Sequence, residues 1–236
     1  YYLDLLSGQS LPKYFPQRLF NNLAMKGELK ILKEFDFILM TQNGKDIYSN
    51  QYFKDIHFKI EYSDFPVFRD ISAEVTTRQE FDKNKKHIVF AGTLDINFRN
   101  PEYFLKIFIK LPDNYILHIY GKNNCHEILK KYHNKFPHRI FLHGIVDSET
   151  AKSAIVSADI LLNVSNSQNM VTSKIFELFS TGKPIINVYR NQNDPSLKYF
   201  EKYKSVILVE EGDNPEISSS NLYSFLLKEQ EMICYS

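Results

Sequence analysis

A lysine and a glutamate three positions apart, with two hydroxyl residues directly ahead of them, are the residues in this sequence best suited to chemistry. They lie in the run Asn169-Met170-Val171-Thr172-Ser173-Lys174-Ile175-Phe176-Glu177. Wound at 100° per residue, this stretch places Val171, Ile175, Leu178 and Phe179 on one apolar stripe and Ser173, Lys174, Glu177 and Ser180 on the opposite side. Thr172 or Ser173 suits the N-cap, and the N–H groups freed at a helix start favour phosphate. Lys174 in the first turn opposes the helix dipole by about 0.3–1 kcal/mol. A bound diphosphate reverses that sign, because the anion meets the lysine, the N–H groups and a hydroxyl together. Glu177, one turn on, can accept two hydroxyl hydrogen bonds, as from a ribose. The same spacing also fits a solvated i,i+3 ion pair contributing about 0.2–0.5 kcal/mol.

Other chemistries find little support. No G-x-G-x-x-G follows a strand, which disfavours a dinucleotide cofactor. Thr181-Gly182-Lys183-Pro184 ends like a phosphate-binding P-loop, but the upstream glycine position holds Glu177, and Pro184 replaces the hydroxyl residue that would bind magnesium. There is no H-E-x-x-H, and His118, His126, His133, His138 and His143 lack ligand spacing on any one element, so they read as surface or strand-end residues and no metal site is expected. A G-x-S-x-G elbow is also absent.

The elements that must position these residues are legible from residue 87 onward. Short apolar runs at 87–91, 115–120, 139–143, 159–164, 184–189 and 205–209 read as strands. Between them, 100–110, 127–135, 148–158 and 171–181 have helical spacing, and 221–230 reads as a closing helix capped by Ser218-Ser219-Ser220. Strands that are continuously apolar are buried on both faces, which predicts a doubly wound parallel α/β sheet. Ligands of such sheets bind at the carboxyl ends of the strands, where Gly92, Gly121 and Gly144 fall. Residues 1–71 read as part of a second α/β lobe, with strands at 1–6, 35–40 and 56–61 and helices at 17–34 and 45–53. Residues 72–86 read as a linker, 87–215 as the main domain and 216–236 as the C-terminal helix.

Composition agrees with a folded chain and narrows the partners. Of 236 residues, 43% are apolar and 24% charged, and 29 Lys+Arg against 28 Asp+Glu leave a formal charge of +1. That balance gives no basic field for nucleic acid, and the 14% aromatic content is better used in the core than in base stacking. Two cysteines cannot build a disulfide framework, so a cytoplasmic location is expected. No apolar run nears the roughly 18 residues of a membrane span. The chain opens on an apolar run without Met, which reads as a cut within a longer protein.

The segment Thr172-Ser173-Lys174-Ile175-Phe176-Glu177, continued by Ser180-Thr181-Gly182-Lys183-Pro184-Ile185-Ile186, resembles the P-S-K-x-F-E…G-K-P stretch of group 1, family-4-like GT-B glycosyltransferases that build bacterial polysaccharide and lipopolysaccharide. Phe90-Ala91-Gly92-Thr93-Leu94, Leu117-His118-Ile119-Tyr120-Gly121, Phe141-Leu142-His143-Gly144-Ile145-Val146 and Ala158-Asp159-Ile160-Leu161-Leu162 match further landmarks in order. The resemblance implies a nucleotide-diphospho-sugar donor of UDP or GDP type as substrate, with no cofactor. By matching position, Glu177 holds the ribose, Lys174 and Ser173 the diphosphate, and the backbone from Gly144 to Val146 the base. Gly92, Thr93, Gly121 and Lys122 line the clefts, and Arg99 is a further phosphate candidate. The family's independence of metal implies that the helix dipole and cationic side chains neutralise the leaving diphosphate.

Two departures stand out. Thr172 replaces the usual proline, and Asn169 stands where many relatives carry a sugar-contacting glutamate, leaving an amide to bond the sugar. The resemblance also implies a glycan or lipid-linked acceptor and peripheral association with the inner membrane face through the first lobe. No catalytic residue is assigned, because the acceptor side is incomplete; Asp4 could line the cleft or simply shape a loop. The 236-residue chain is expected to be inactive by itself. A non-catalytic nucleotide-binding half remains an alternative, as does a GT-B-like sugar-nucleotide epimerase using His143 and Glu149.

Overall fold

Apolar residues at helical spacing between residues 19 and 32 fold as α1 (Gln17–Lys33), the first element of a computed structural model that describes residues 17–41, 44–63, 70–165 and 171–234. The chain divides into two units, 1–67 and 68–236. In the first, α1 is followed by β1 (Ile38–Thr41), α2 (Lys45–Tyr48), a 3₁₀ helix (Gln51–Lys59) and β2 (Ile60–Ser63). The two strands pair in parallel, Ile38 opposite Ile60. Leu32, Tyr48, Phe53 and Ile56 form a small core beneath them. The strand expected at 56–61 starts only at Ile60. Asn50 caps the 3₁₀ helix by accepting the Tyr52 N–H at 3.0 Å, and the turns then run on to Lys59. Lys59 Nζ donates to the carbonyls of Lys33 and Phe35 at 2.9 and 2.8 Å, supplying donors just beyond α1. The strand expected at 35–40 begins at Ile38. The one expected at 1–6, with Asp4, lies outside the described residues.

The second unit opens with α3 (Ile71–Glu74), whose N-cap Asp70 accepts the Ser72 N–H at 2.9 Å. There follow β3 (Lys86–Ala91), α4 (Glu102–Phe108), β4 (Tyr115–Tyr120), α5 (His126–Lys135), β5 (Ile140–Gly144), α6 (Ser148–Ser157), β6 (Ile160–Ser165), α7 (Lys174–Ser180), β7 (Ile185–Tyr189), α8 (Leu197–Phe200), β8 (Val206–Glu210) and α9 (Pro215–Cys234). The six strands β3–β8 form one parallel sheet in the order β5-β4-β3-β6-β7-β8. This is the doubly wound class read from the sequence, with its topological switch between β3 and β6.

Alternation along the strands divides the burial between two faces. Ile88, Phe90, Leu117, Ile119, Leu162 and Ile186 point into one core with Phe104 and Phe108 of α4, Leu129 of α5, and Leu222 and Leu226 of α9. Residues 72–86, read as a linker, fall within this unit, and so does Ile71, read as the end of the first lobe: it is buried in α3 and its N–H donates to Ser180 Oγ in α7.

The closing helix begins at Pro215, six residues earlier than its expected start. Proline suits a first helical turn, and Asn214 Oδ1 accepts the Glu216 N–H at 2.9 Å. Ser218–Ser220 therefore lie inside the helix, and Ser218 Oγ lies 3.0 Å from the Tyr103 hydroxyl in α4. A second correction concerns His118, which is 6% exposed and held between two other histidines, not at the surface. At the opposite pole from the strand carboxyl ends, Arg139 is buried. Its Nη2 donates to the Leu111 and Pro112 carbonyls at 2.9 and 3.2 Å and to Phe108 O at 3.3 Å, and its Nη1 donates to Asp113 at 3.0 Å.

Candidate functional site

The carboxyl ends of β3, β4 and β5 are joined into a crest of backbone hydrogen bonds. Gly92 N–H donates to Tyr120 O at 3.0 Å, Leu94 N–H to Lys122 O at 3.0 Å, and Gly121 N–H to Gly144 O at 2.6 Å. The three glycines expected at the strand ends are thus brought together. Gly121 has φ +117°, and a Cβ there would lie 1.9 Å from the Gly92 carbonyl oxygen. Only glycine permits so close an approach of the two chains. Thr93 and Lys122 project from this crest and are exposed, while Val146 is half-buried beyond it.

The loop after β3 is shaped by Asp95. Its carboxylate accepts the N–H groups of Asn97 and Phe98 at 2.8 and 3.1 Å and the Asn124 amide at 2.6 Å. The Asn97 N–H bond holds its pKa below the usual range, aided by Asn124, Phe98 and the charge of Arg99. Asp95 and Arg99 exchange backbone bonds at 3.2 and 2.8 Å, so the loop doubles back and sets Arg99 over the sheet end. Burial lowers the Arg99 pKa, and the charges of Asp194 and Asp95 oppose that fall.

Across the switch point, α7 starts beyond the carboxyl end of β6 and carries the residues singled out in the sequence. Lys174 Nζ donates to Glu177 Oε2 at 2.8 Å, with both side chains about one-third exposed (35% and 36%). The pair therefore closes on itself, as its i,i+3 spacing allows. Ser173 stands at the cap position with helical φ −57° and ψ −23° and makes no capping bond, which corrects the capping role expected for it. Its hydroxyl is exposed, and Thr172 is half-buried. Asn169 lies outside the described residues. The apolar side of α7 packs as its stripe predicts: Ile175 and Leu178 are buried, and Phe179 stacks on Tyr203 at 4.9 Å. Phe176, absent from the predicted stripe, is buried as well, edge-on to Tyr199 of α8 at 5.2 Å.

Sequence reasoning missed Asp194. This carboxylate is 3% exposed and accepts Ser165 Oγ at 2.5 Å, Ser196 Oγ at 2.6 Å and Ser196 N–H at 2.8 Å. It ties the last residue of β6 to the loop after β7 and is the first carboxylate acting on Arg99. Beside it in the sheet, Asn163 donates to Asn187 Oδ1 at 2.7 Å, and the buried Asn187 Nδ2 has no hydrogen-bond partner among the described residues. Polar residues inside the apolar strands at 163, 165 and 187 are the signal that marks this end of the sheet. Among the described residues, no group of three His, Cys, Asp or Glu side chains is placed to hold a metal ion.

Residues 85–222 match the family model described as "Glycosyl transferases group 1". The chain belongs to this glycosyltransferase family. Solved structures agree on the GT-B fold. Anabaena HepE in complex with UDP superposes with a TM-score of 0.64 at 12% identity, over 95% of this chain and 62% of that one. WaaG, a glycosyltransferase involved in lipopolysaccharide biosynthesis, gives 0.53 at 9% identity, over 92% of this chain and 76% of that one. Sucrose-phosphate synthase from Thermosynechococcus elongatus gives 0.60 at 14% identity, over 92% and 55%. The chain thus spans about three-fifths of HepE. No curated protein sequence matches it. Among the described residues, no helix of this glycosyltransferase chain is long and apolar enough to cross a membrane.

Proposed function

We propose that this chain carries the donor half of an enzyme that moves a sugar from a nucleotide-diphospho-sugar to a glycan or lipid-linked acceptor in cell-surface polysaccharide synthesis. The observation that carries the reading is the Lys174–Glu177 pair at the start of α7, across the switch point from the glycine crest. A pair as exposed as this one stabilises the fold by only about 0.2–1 kcal/mol, so a donor can open it at little cost. Lys174 then turns to the diphosphate together with the Ser173 hydroxyl, which no cap bond occupies, and Glu177 accepts two ribose hydroxyls. The crest at Gly92, Gly121 and Gly144 offers backbone groups and room for the base, and Arg99 adds positive charge from the β3 loop.

Transfer then needs the leaving diphosphate to be stabilised as it departs. Lys174, Arg99 and Lys122 are cations at this pole, and fixed charges in a partly desolvated cleft act without reorganising. Neutralisation by these side chains is the basis for proposing metal-independent transfer. The acceptor and any general base belong to the first lobe, which also supports placing the enzyme at the cytoplasmic face of a membrane as a peripheral protein.

Calorimetric titration of the chain with UDP, GDP and their sugar conjugates tests the reading. UDP is the first choice, since HepE was crystallised with UDP and with UDP-glucose. Lys174→Ala and Glu177→Ala should each weaken binding by about 1–3 kcal/mol, as for hydrogen bonds to charged groups. A nucleotide that binds equally well to both variants, or a folded chain that binds none, overturns it.

A further inference from the structure

Three histidines from three adjacent strands form a hydrogen-bonded row across the face of the sheet opposite α4 and α9. His87 Nδ1 of β3 lies 2.9 Å from His118 Nε2 of β4, and His118 Nδ1 lies 3.0 Å from His143 Nε2 of β5. The inner end of the row is closed by the Asp82 carbonyl, 3.0 Å from His87 Nε2. A carbonyl only accepts, so His87 carries its proton on Nε2 and its Nδ1 accepts. That fixes His118 as the Nε2–H tautomer donating to His87, and His143 as the Nε2–H tautomer donating to His118. The outer Nδ1 of His143, on an exposed residue of the edge strand, is left with the only unused lone pair of the row.

The row also holds a chain segment. Phe81 stacks on His87 at 4.5 Å and lies 4.6 Å from the His118 ring. Tyr120 stacks on His143 at 4.0 Å and donates its hydroxyl to Gln79 Oε1 at 2.9 Å. The Thr77 carbonyl accepts Ser153 Oγ at 2.8 Å. Residues 77–82 are thus pinned to the sheet mainly through the imidazoles and the rings stacked on them. This segment connects α3 to β3.

We propose that the His87–His118–His143 row is an acid-sensitive latch that holds residues 77–85 on the sheet at neutral pH and releases them as the histidines take up protons. One added proton can sit on the outer nitrogen of His143. A second must set two N–H groups face to face in one of the N–H···N bonds, which breaks that bond. Charged groups facing the row offer little compensation. On the segment these are Arg78, Glu80, Asp82, Lys83 and Lys85, with Lys183 and Glu229 lining the same cavity as His87 from other elements, and the Asp82 carboxylate is engaged by the Asn84 N–H at 2.9 Å. At the start of β3, Lys86 pairs with Asp159, whose other oxygen accepts the His87 N–H. Burial, helped by the charges of His87 and His143, pushes the His118 pKa down to about 3. Burial also lowers that of His143. The released segment leaves the His118 and His143 rings in water, where an imidazole titrates near its ordinary value of about 6.5.

Hydrogen–deuterium exchange of the full chain from pH 7.5 to 4.5, corrected for intrinsic exchange rates, tests the latch and does not depend on the donor-site reading. The opening constant of amides in 77–85 should rise at least tenfold per pH unit below about pH 6, one factor of ten for each extra proton bound on opening. His118→Phe keeps a ring between Phe81 and Phe141 but carries no proton, and should lose most of that slope. His143→Gln, at the exposed end, removes one titrating group and should make the slope shallower. Opening that is flat with pH overturns the proposal. So does a slope that persists unchanged in both variants, or exchange in 77–85 that merely follows that of α9.

Discussion

Gly121→Ala offers the sharpest test of the crest that the site is built on. The added Cβ would lie 1.9 Å from Gly92 O and 2.8 Å from Gly92 C, whereas real Cβ contacts essentially never fall below 3.0 Å. Relief therefore needs a shift of about 1 Å between the ends of β3 and β4. The Gly92 N–H···O Tyr120 and Gly121 N–H···O Gly144 bonds are at the point of collision, and losing both costs about 2 kcal/mol at roughly 1 kcal/mol each. The φ of +117° adds about 1–2 kcal/mol of backbone strain for a residue with a side chain. The expected destabilisation is about 3–4 kcal/mol. Gly212→Ala is the control, since Gly212 has φ +113° but nothing within 4 Å of an added Cβ. It should cost only the strain, about 1–2 kcal/mol, and leave nucleotide affinity intact. Urea unfolding of the three proteins, followed by calorimetric titration with UDP, measures both effects. Equal losses in the two variants, or a Gly121→Ala protein within 1 kcal/mol of the parent, would refute the collision as the reason for glycine.

Three further outcomes follow from the same geometry. Asp194→Asn keeps the shape of a buried side chain but weakens charge-assisted bonds to Ser165 and Ser196; it should lower stability by about 2 kcal/mol, seen as a drop in Tm, and an unchanged Tm would contradict the role given to this carboxylate. Arg139→Lys replaces a planar fork that reaches several carbonyls with a single ammonium and should cost about 3 kcal/mol in urea unfolding. For pH, His118 is held neutral in the folded chain by burial and by its histidine neighbours, its pKa falling to about 3. Its stabilising contribution is complete above about pH 6.5 and is lost as pH falls toward the folded value. At about 1.4 kcal/mol per pH unit for one proton, global stability should fall by about 2 kcal/mol between pH 6.5 and 5, and His118→Phe should flatten that fall in pH-dependent unfolding.

The six-stranded unit is readable from sequence because strands buried on both faces appear as unbroken apolar runs, and because glycines mark where those runs end. The α7 residues were readable because helical spacing places Lys174 and Glu177 within reach of one another. Other features lacked any local signature. Asp194 meets Ser165 from 29 positions away, joined only by the crossover from β6 to β7. The histidines at 87, 118 and 143 meet because strand register sets Val89 beside His118, and His118 beside Phe141; spacing along the chain carries no trace of that. At α9, three serines in a row resemble a cap, whereas the helix starts at Asn214-Pro215, where a side-chain cap and a fixed φ act together. In the first unit, a run of nine residues forms 3₁₀ turns, and a short apolar run without clear period reads equally as strand or helix.

Arg139 also says something about the order of assembly. The Leu111 carbonyl, in the turn from α4 into β4, finds its donor in a guanidinium that lies 28 positions later in the chain, and the Phe108 and Pro112 carbonyls, which already accept the Leu111 and Tyr115 N–H groups, gain a second one there. A buried carbonyl without a partner is costly, so the Leu111 carbonyl stays unsatisfied until the residue just before β5 arrives. A nascent chain that has emerged only as far as β4 therefore holds an unfinished pole. The turn that leads into β4 thus reaches its full hydrogen bonding only when β5, the edge strand that follows Arg139, is in place.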